Sequence, residues 1–227
     1  MPIIFGDPTL VLLIPAFILA IWAQMRVTST YKKYAKVRSA QGVTGAKVAK
    51  YLLERNGIYD VSVNAVEGTL SDHYDPRKKT VNLSVDNYQG SSLSALAVAA
   101  HEVGHAIQDA KGYVPLKLRH AVLPATNIGS WAAFPLFFIG FLFNTPVLMD
   151  IGIVLFAGIV LFHFITLPVE FNASSRALAQ LGANGMLVQQ EIGSARKVLN
   201  AAALTYVAAT AVALIHLLRL IILRGND

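Results

Sequence analysis

Residues 122–149, 151–169 and 198–218 contain no Asp, Glu, Lys or Arg. A helix needs roughly 20 apolar residues to cross a bilayer core, so each stretch is near or above that length. A fourth candidate, "PTLVLLIPAFILAIWAQ" at 8–24, lies close to the N-terminus. In hydrocarbon every backbone N–H and C=O must be bonded within the chain, which favours helices for runs this long. With 55% of residues hydrophobic and only 14% charged, a soluble globular domain is a poor fit. The sequence predicts a mainly α-helical, polytopic membrane protein with about four transmembrane helices.

The first span reads as a retained anchor rather than a signal peptide. Its leader, "MPIIFGDP", has no positive charge, and the basic cluster Arg26, Lys32, Lys33, Lys36 and Arg38 follows the span instead. Fourteen of the 19 Lys and Arg lie between residues 26 and 119. Counting positive loops as cytoplasmic puts the N-terminus outside and both polar segments inside, with the C-terminal arginines mildly against this. The net charge of +6 is read as attraction to anionic headgroups rather than to nucleic acid. Without cysteine, there is no disulfide framework, and any metal must be held by histidine and carboxylate.

These signals divide the chain into an anchor (1–25), a soluble α+β domain (26–121), two transmembrane helices (122–167), a helical segment (168–197) and a last span (198–227). Within the soluble domain, "TGAKVAKYLLERNG" reads as an amphipathic helix capped by Thr44, with Val48, Tyr51 and Leu52 inward and Gly57 as its stop. "SDHYDPRKK" has turn chemistry at Asp75-Pro76. "TVNLSV" alternates, with Val81, Leu83 and Val85 on one face. Residues 58–86 therefore predict a small antiparallel sheet. A helix over 92–111 follows, with a serine N-cap and Gly112 as stop. Residues 168–200 read as two helices starting at Pro168 and broken near 182–185.

The helix over 92–111 contains "AVAAHEVGHAIQ". On a helix, residues four apart face the same way, so His101 and His105 present both imidazoles to one point. This is H-E-x-x-H, in which two histidines bind Zn²⁺ and the glutamate handles the proton of an activated water. Burying His, Glu and His unpaired on an apolar face would be costly, which argues against mere packing. A third histidine at the longer-motif spacing is excluded, because Gln108 and Lys111 occupy its positions. The third ligand is therefore remote. Glu170 in "LPVEFNASSRAL" is the best candidate, since Glu54 and Glu67 look exposed and Glu191 sits in a solvated pattern.

Three stretches in order, "LSDHYDPRKKTVNLS", "AVAAHEVGHAIQ" and "EFNASSRAL", with this arrangement of spans, resemble the YugP-type family of membrane-bound neutral zinc metallopeptidases. The resemblance covers nearly the whole chain. It implies a zincin-like metallopeptidase domain, His101 and His105 as zinc ligands and Glu102 as the catalytic glutamate. The segment around Glu170 is also similar to the E-x-x-A-D helix of HtpX-like membrane peptidases, which implies Glu170 as the third ligand. Ser174 stands where that motif has its aspartate.

His73 is a candidate donor to the oxyanion of the tetrahedral intermediate, and Arg176 is a rival for that role or a partner of the metal-binding residues; an ordinary turn or salt-bridge role fits each equally well. His163, in a span, and Asp150, between two spans, are read as an interhelical hydrogen-bonding group and a solvated loop residue. The chain is thus expected to be a multi-pass cell-membrane zinc endopeptidase holding one Zn²⁺ and acting on a peptide or protein from the cytoplasmic side. The alternative is a membrane scaffold or transporter component with a non-catalytic zinc site. Structural zinc is usually closed by four protein ligands, often including cysteine. Only three good candidates exist here.

Overall fold

Long apolar runs dominate the chain, and they become its longest helices. The computed structural model describes residues 8–225; all of the leader except Pro8 lies outside them. A 3-10 turn at Pro8–Leu12 leads into α1 (Leu13–Ala35), followed by α2 (Gly45–Arg55), β1 (Ser62–Val66), β2 (His73–Asp75), β3 (Thr80–Ser84) and α3 (Val85–Gln89). Then come α4 (Leu93–Ala110), α5 (Val114–Leu142), α6 (Pro146–Ala183) and α7 (Gln189–Gly225). Among the described residues, four helices are long and apolar enough to cross a membrane: Thr9–Ala35, α5, α6 and α7.

The chain divides into two compact units. The apolar unit takes the described residues up to 24, then 118–167 and 205 onward. Its core gathers Ala133, Phe137, Met149, Phe156, Val160, Ala213 and Leu220. Small residues let membrane helices approach closely. A Cβ on Gly152 would meet the Ala133 carbonyl oxygen at 2.7 Å, and one on Gly140 would meet the Met149 amide nitrogen at the same distance. Asp150, expected in a loop, instead lies near the start of α6, exposed, and accepts a hydrogen bond from Arg224 Nε at 2.9 Å.

The polar unit takes residues 25–117 and 168–204. Thr44 caps α2 by accepting from the Lys47 N–H, and Gly57 supplies the positive φ of the stop. The inward face of α2 is Val48, Ala49, Leu52 and Leu53; Tyr51, expected there, is 38% exposed. The sheet also departs from expectation, because it is mixed. Its order is β1-β3-β2, with β1 parallel and β2 antiparallel to β3. Alternation specifies which face is buried but not strand direction. The chain passes through β2 before β3, and that length allows β3 to return parallel to β1. At the tight turn, Asp75 Oδ1 accepts from the Arg77 and Lys78 N–H groups, as its sequence predicts. Val81 and Leu83 are fully buried, whereas Val85 has left the strand to begin α3.

A polar knot ties this unit together. Asp72 accepts from the Ser84 N–H at 2.8 Å and from Asn87 Nδ2 at 2.9 Å. The Tyr31 hydroxyl, in the last turns of α1, donates to Asn87 Oδ1 at 2.8 Å, and Ser94 Oγ donates to the Tyr31 carbonyl. At the other end of α4, Asp109 accepts from Lys79 Nζ at 2.7 Å and from the Tyr74 hydroxyl at 2.8 Å. The Tyr74 hydroxyl is pushed well above its usual range by burial and then by Asp109. Finally, α6 does not start at Pro168, as the sequence suggested, but runs through it. Proline commonly opens a helix, yet a long apolar helix can absorb one lost hydrogen bond.

Candidate metal centre

The centre is assembled within the polar unit from α4 and from the part of α6 that follows residue 167. Ser92 opens α4 by accepting from the Ala95 N–H at 3.2 Å, and alanines then let the helix bury almost its whole circumference. His101 and His105, one turn apart, stand with ring centroids 4.8 Å apart and planes at 85°. From α6, Glu170 (2% exposed) brings one oxygen to both rings. Its Oε2 lies 3.3 Å from His101 Nε2 and 3.6 Å from His105 Nε2. The donor atoms of the three residues lie within 4.8 Å of one another.

This donor set fits zinc. Two ligands held 2.0–2.1 Å from a common tetrahedral centre lie about 3.3 Å apart, and the two histidine–glutamate separations are close to that. Imidazole nitrogen and carboxylate oxygen are also the donors expected of zinc in a chain without cysteine. Three protein ligands leave a coordination position open.

Glu102, between the two histidines in sequence, is 7% exposed. Burial pushes its carboxyl above the usual range, against the pull of the two imidazoles, and the Glu170 charge adds to the rise. For His105, burial works against the imidazolium, but the Glu170 carboxylate beside it prevails and raises the affinity for a proton. Each histidine is also held at its outer nitrogen. Ser174 Oγ lies 3.2 Å from His101 Nδ1, so the serine standing at the resembled motif's aspartate position touches the same ring. Gln108 Oε1 lies 3.0 Å from His105 Nδ1.

The structure brings His101, Glu102, His105 and Glu170 together and leaves the other two predicted residues outside that group. His73 is exposed on β2, with Nδ1 at 2.9 Å from the Ser71 carbonyl oxygen and Nε2 at 3.1 Å from Asn82 Nδ2. Arg176 donates from Nε to Asn172 Oδ1 at 2.7 Å, with its guanidinium over the Tyr113 ring. Sequence reasoning missed two members of the site. One is Gln108, treated there only as the position of an absent histidine, although it lies three residues beyond His105 on the same helical face. The other is Gly104, where a Cβ would sit 2.7 Å from the Ala173 carbonyl oxygen; glycine lets α4 and α6 approach closely enough to share a metal.

Two histidines and a glutamate form a group that could hold a metal ion, and a second glutamate between the histidines gives the sequence pattern of zinc metallopeptidases. The chain matches the family described as "Putative neutral zinc metallopeptidase" over residues 9–225, and it belongs to that family. It is 49% identical over 218 residues to the "Putative membrane protease YugP" of Bacillus subtilis (strain 168), covering 95% of this chain and 97% of that relative. No solved structure gives a significant match.

Proposed function

We propose that the protein is a membrane-anchored zinc endopeptidase. His101, His105 and Glu170 would hold one Zn²⁺, and Glu102 would serve as general base. The observation that carries this reading is the convergence of three donor atoms from two helices beside a buried fourth residue, Glu102, with a raised proton affinity. The family membership and the name of the Bacillus relative support the same reading.

Zinc in such a site supplies Lewis acidity: it lowers the pKa of a coordinated water toward about 7 and polarises a carbonyl. The protein's own residues do the remainder. Glu102 accepts the proton of the attacking water and then delivers it to the leaving amine, so one carboxyl serves as base and acid in turn. Its raised pKa suits the second step, because a carboxyl that keeps a proton more readily is a better-matched donor near neutrality. Glu170 balances part of the metal's charge and spaces the two imidazoles. For His73, both of whose ring nitrogens are engaged, the reading is a role in holding the β2–β3 hairpin.

The excess of Lys and Arg between residues 26 and 119 supports a catalytic unit on the cytoplasmic side. The test of the catalytic reading separates binding from chemistry. Glu102→Gln should retain stoichiometric zinc while cleavage of a peptide library falls by at least about a hundredfold, within the range expected for a lost general base. Zinc-loaded wild-type protein without any cleavage would favour a non-catalytic metal site instead.

A further inference from the structure

The outer nitrogens of the two histidines are held by chemically different groups. Ser174 offers His101 a hydroxyl, which donates or accepts by rotating. Gln108 offers His105 an amide, whose two ends are not interchangeable. Which end faces the ring therefore decides which ring nitrogen carries the proton.

The surroundings of Gln108 leave one answer. Its Nε2 lies 2.8 Å from the Val169 carbonyl oxygen and 3.0 Å from Asn172 Oδ1. A backbone carbonyl is acceptor-only, so the group facing it must be the NH₂ end. Asn172 is oriented in turn by Arg176, whose Nε lies 2.7 Å from Oδ1. Guanidinium has no acceptor, so the oxygen of Asn172 faces Arg176 and, being shared, also receives the second N–H of Gln108. Both protons of the Gln108 amide are then committed to α6. Its Oε1 is left toward His105 at 3.0 Å and can only accept. Gln108 is fully buried, so unmatched hydrogen bonds in any flipped arrangement would go uncompensated by water.

We infer that Gln108 is a positioning residue that holds the proton of neutral His105 on Nδ1, because its Oε1 lies 3.0 Å from Nδ1 whereas the rival acceptor, Glu170 Oε2, lies 3.6 Å from Nε2, and so keeps Nε2 for the metal. Asn172 and Arg176 support it through a one-directional chain of hydrogen bonds. His105 is thus a preset ligand, whereas His101, beside the rotatable hydroxyl of Ser174, adapts. This assigns Arg176 a place behind Asn172, Gln108 and His105, three side chains from the metal, rather than at the oxyanion. The inference rests on the proposed metal centre but not on peptide hydrolysis.

The test uses the full-length protein in lipid nanodiscs with ¹⁵N-labelled histidine, metal-free and at a pH where His105 is neutral. Its two ring-nitrogen resonances are assigned by loss in His105→Asn. The wild type should show a protonated Nδ1 and an unprotonated Nε2. Gln108→Met should lose that preference, and zinc affinity, measured by competition with a chromogenic chelator, should fall roughly 10- to 100-fold, the usual effect of losing an outer partner of a metal-bound histidine. Asn172→Asp, which keeps an acceptor toward both Arg176 and Gln108, should preserve affinity to within a few-fold, whereas Asn172→Leu and Arg176→Met should lower it. A wild-type Nε2–H tautomer overturns the inference, as does a folded Gln108→Met with unchanged affinity. Should Gln108→Met fail to fold, the wild-type tautomer and the contrast between Asn172→Asp and Asn172→Leu decide it. Protein that binds zinc with the expected tautomer yet cleaves nothing would sink the peptidase reading and leave this one standing.

Discussion

One oxygen of Glu170 approaches both imidazoles, so the centre depends on this side chain more than on either histidine's neighbours. Glu170→Ala removes the donor, and Glu170→Gln keeps its shape while removing the charge that offsets the dication. Zinc content of protein purified without chelator should fall from stoichiometric to near zero in the alanine variant. The glutamine variant should be weakened by at least about tenfold, the scale on which even outer-sphere changes act. Stoichiometric zinc in both variants would mean that another group completes the set. This part of the site was largely legible in the sequence. The four-residue spacing of His101 and His105 fixes their common direction on any helix, and Glu170 emerged by comparing where the remaining glutamates fall. Gln108 was not legible. A glutamine three residues after a ligand acquires meaning only from what faces it, and Val169 and Asn172 lie more than sixty residues further along the chain.

At the level of elements, the decisive contact is backbone against backbone where α4 meets α6. Gly104 permits it, and a methyl group there would press on the Ala173 carbonyl, which belongs to the same helical turn as Glu170. Gly104→Ala should therefore destabilise the protein by about 1–3 kcal/mol, the usual cost of overpacking, and should weaken zinc binding as α6 is pushed outward. Gly193→Ala in α7 is the control. A Cβ there meets nothing within 4 Å, so helix propensity alone should stabilise by about 0.5–1 kcal/mol. Thermal unfolding in one detergent, with zinc affinity alongside, compares the two; a Gly104→Ala protein as stable and as tight as wild type would contradict this account of the helix contact. The elements differ in how plainly the sequence announces them. Capping residues gave α2 and α4 because Thr44 and Ser92 make local bonds with the helices they start. The sheet's mixed topology and the passage of α6 through Pro168 were hidden, since both depend on partners remote in sequence.

For the molecule as a whole, four long apolar helices and a lopsided distribution of positive charge support the proposed orientation, with the polar unit on the cytoplasmic side. The absence of cysteine makes the test clean. Lys78→Cys lies in the β2–β3 turn, and Asn144→Cys lies in the turn between α5 and α6. In intact cells a membrane-impermeant maleimide should label the second and reach the first only after permeabilisation. The reverse pattern would invert the proposed topology while leaving the metal chemistry untouched. The spans are legible because a bilayer reads bulk properties, length and apolarity, that survive without knowledge of any contact.

The knot joining Asp72, Ser84, Asn87, Tyr31 and Ser94 has a bearing on handling. Surfactant tails compete for greasy helix faces, but they offer nothing that imitates a phenol seated on an amide oxygen. The end of the first long helix is therefore fastened by bonds that are indifferent to which amphiphile surrounds the rest of that rod. Exchanging one solubilising agent for another should leave its rotational setting as it was.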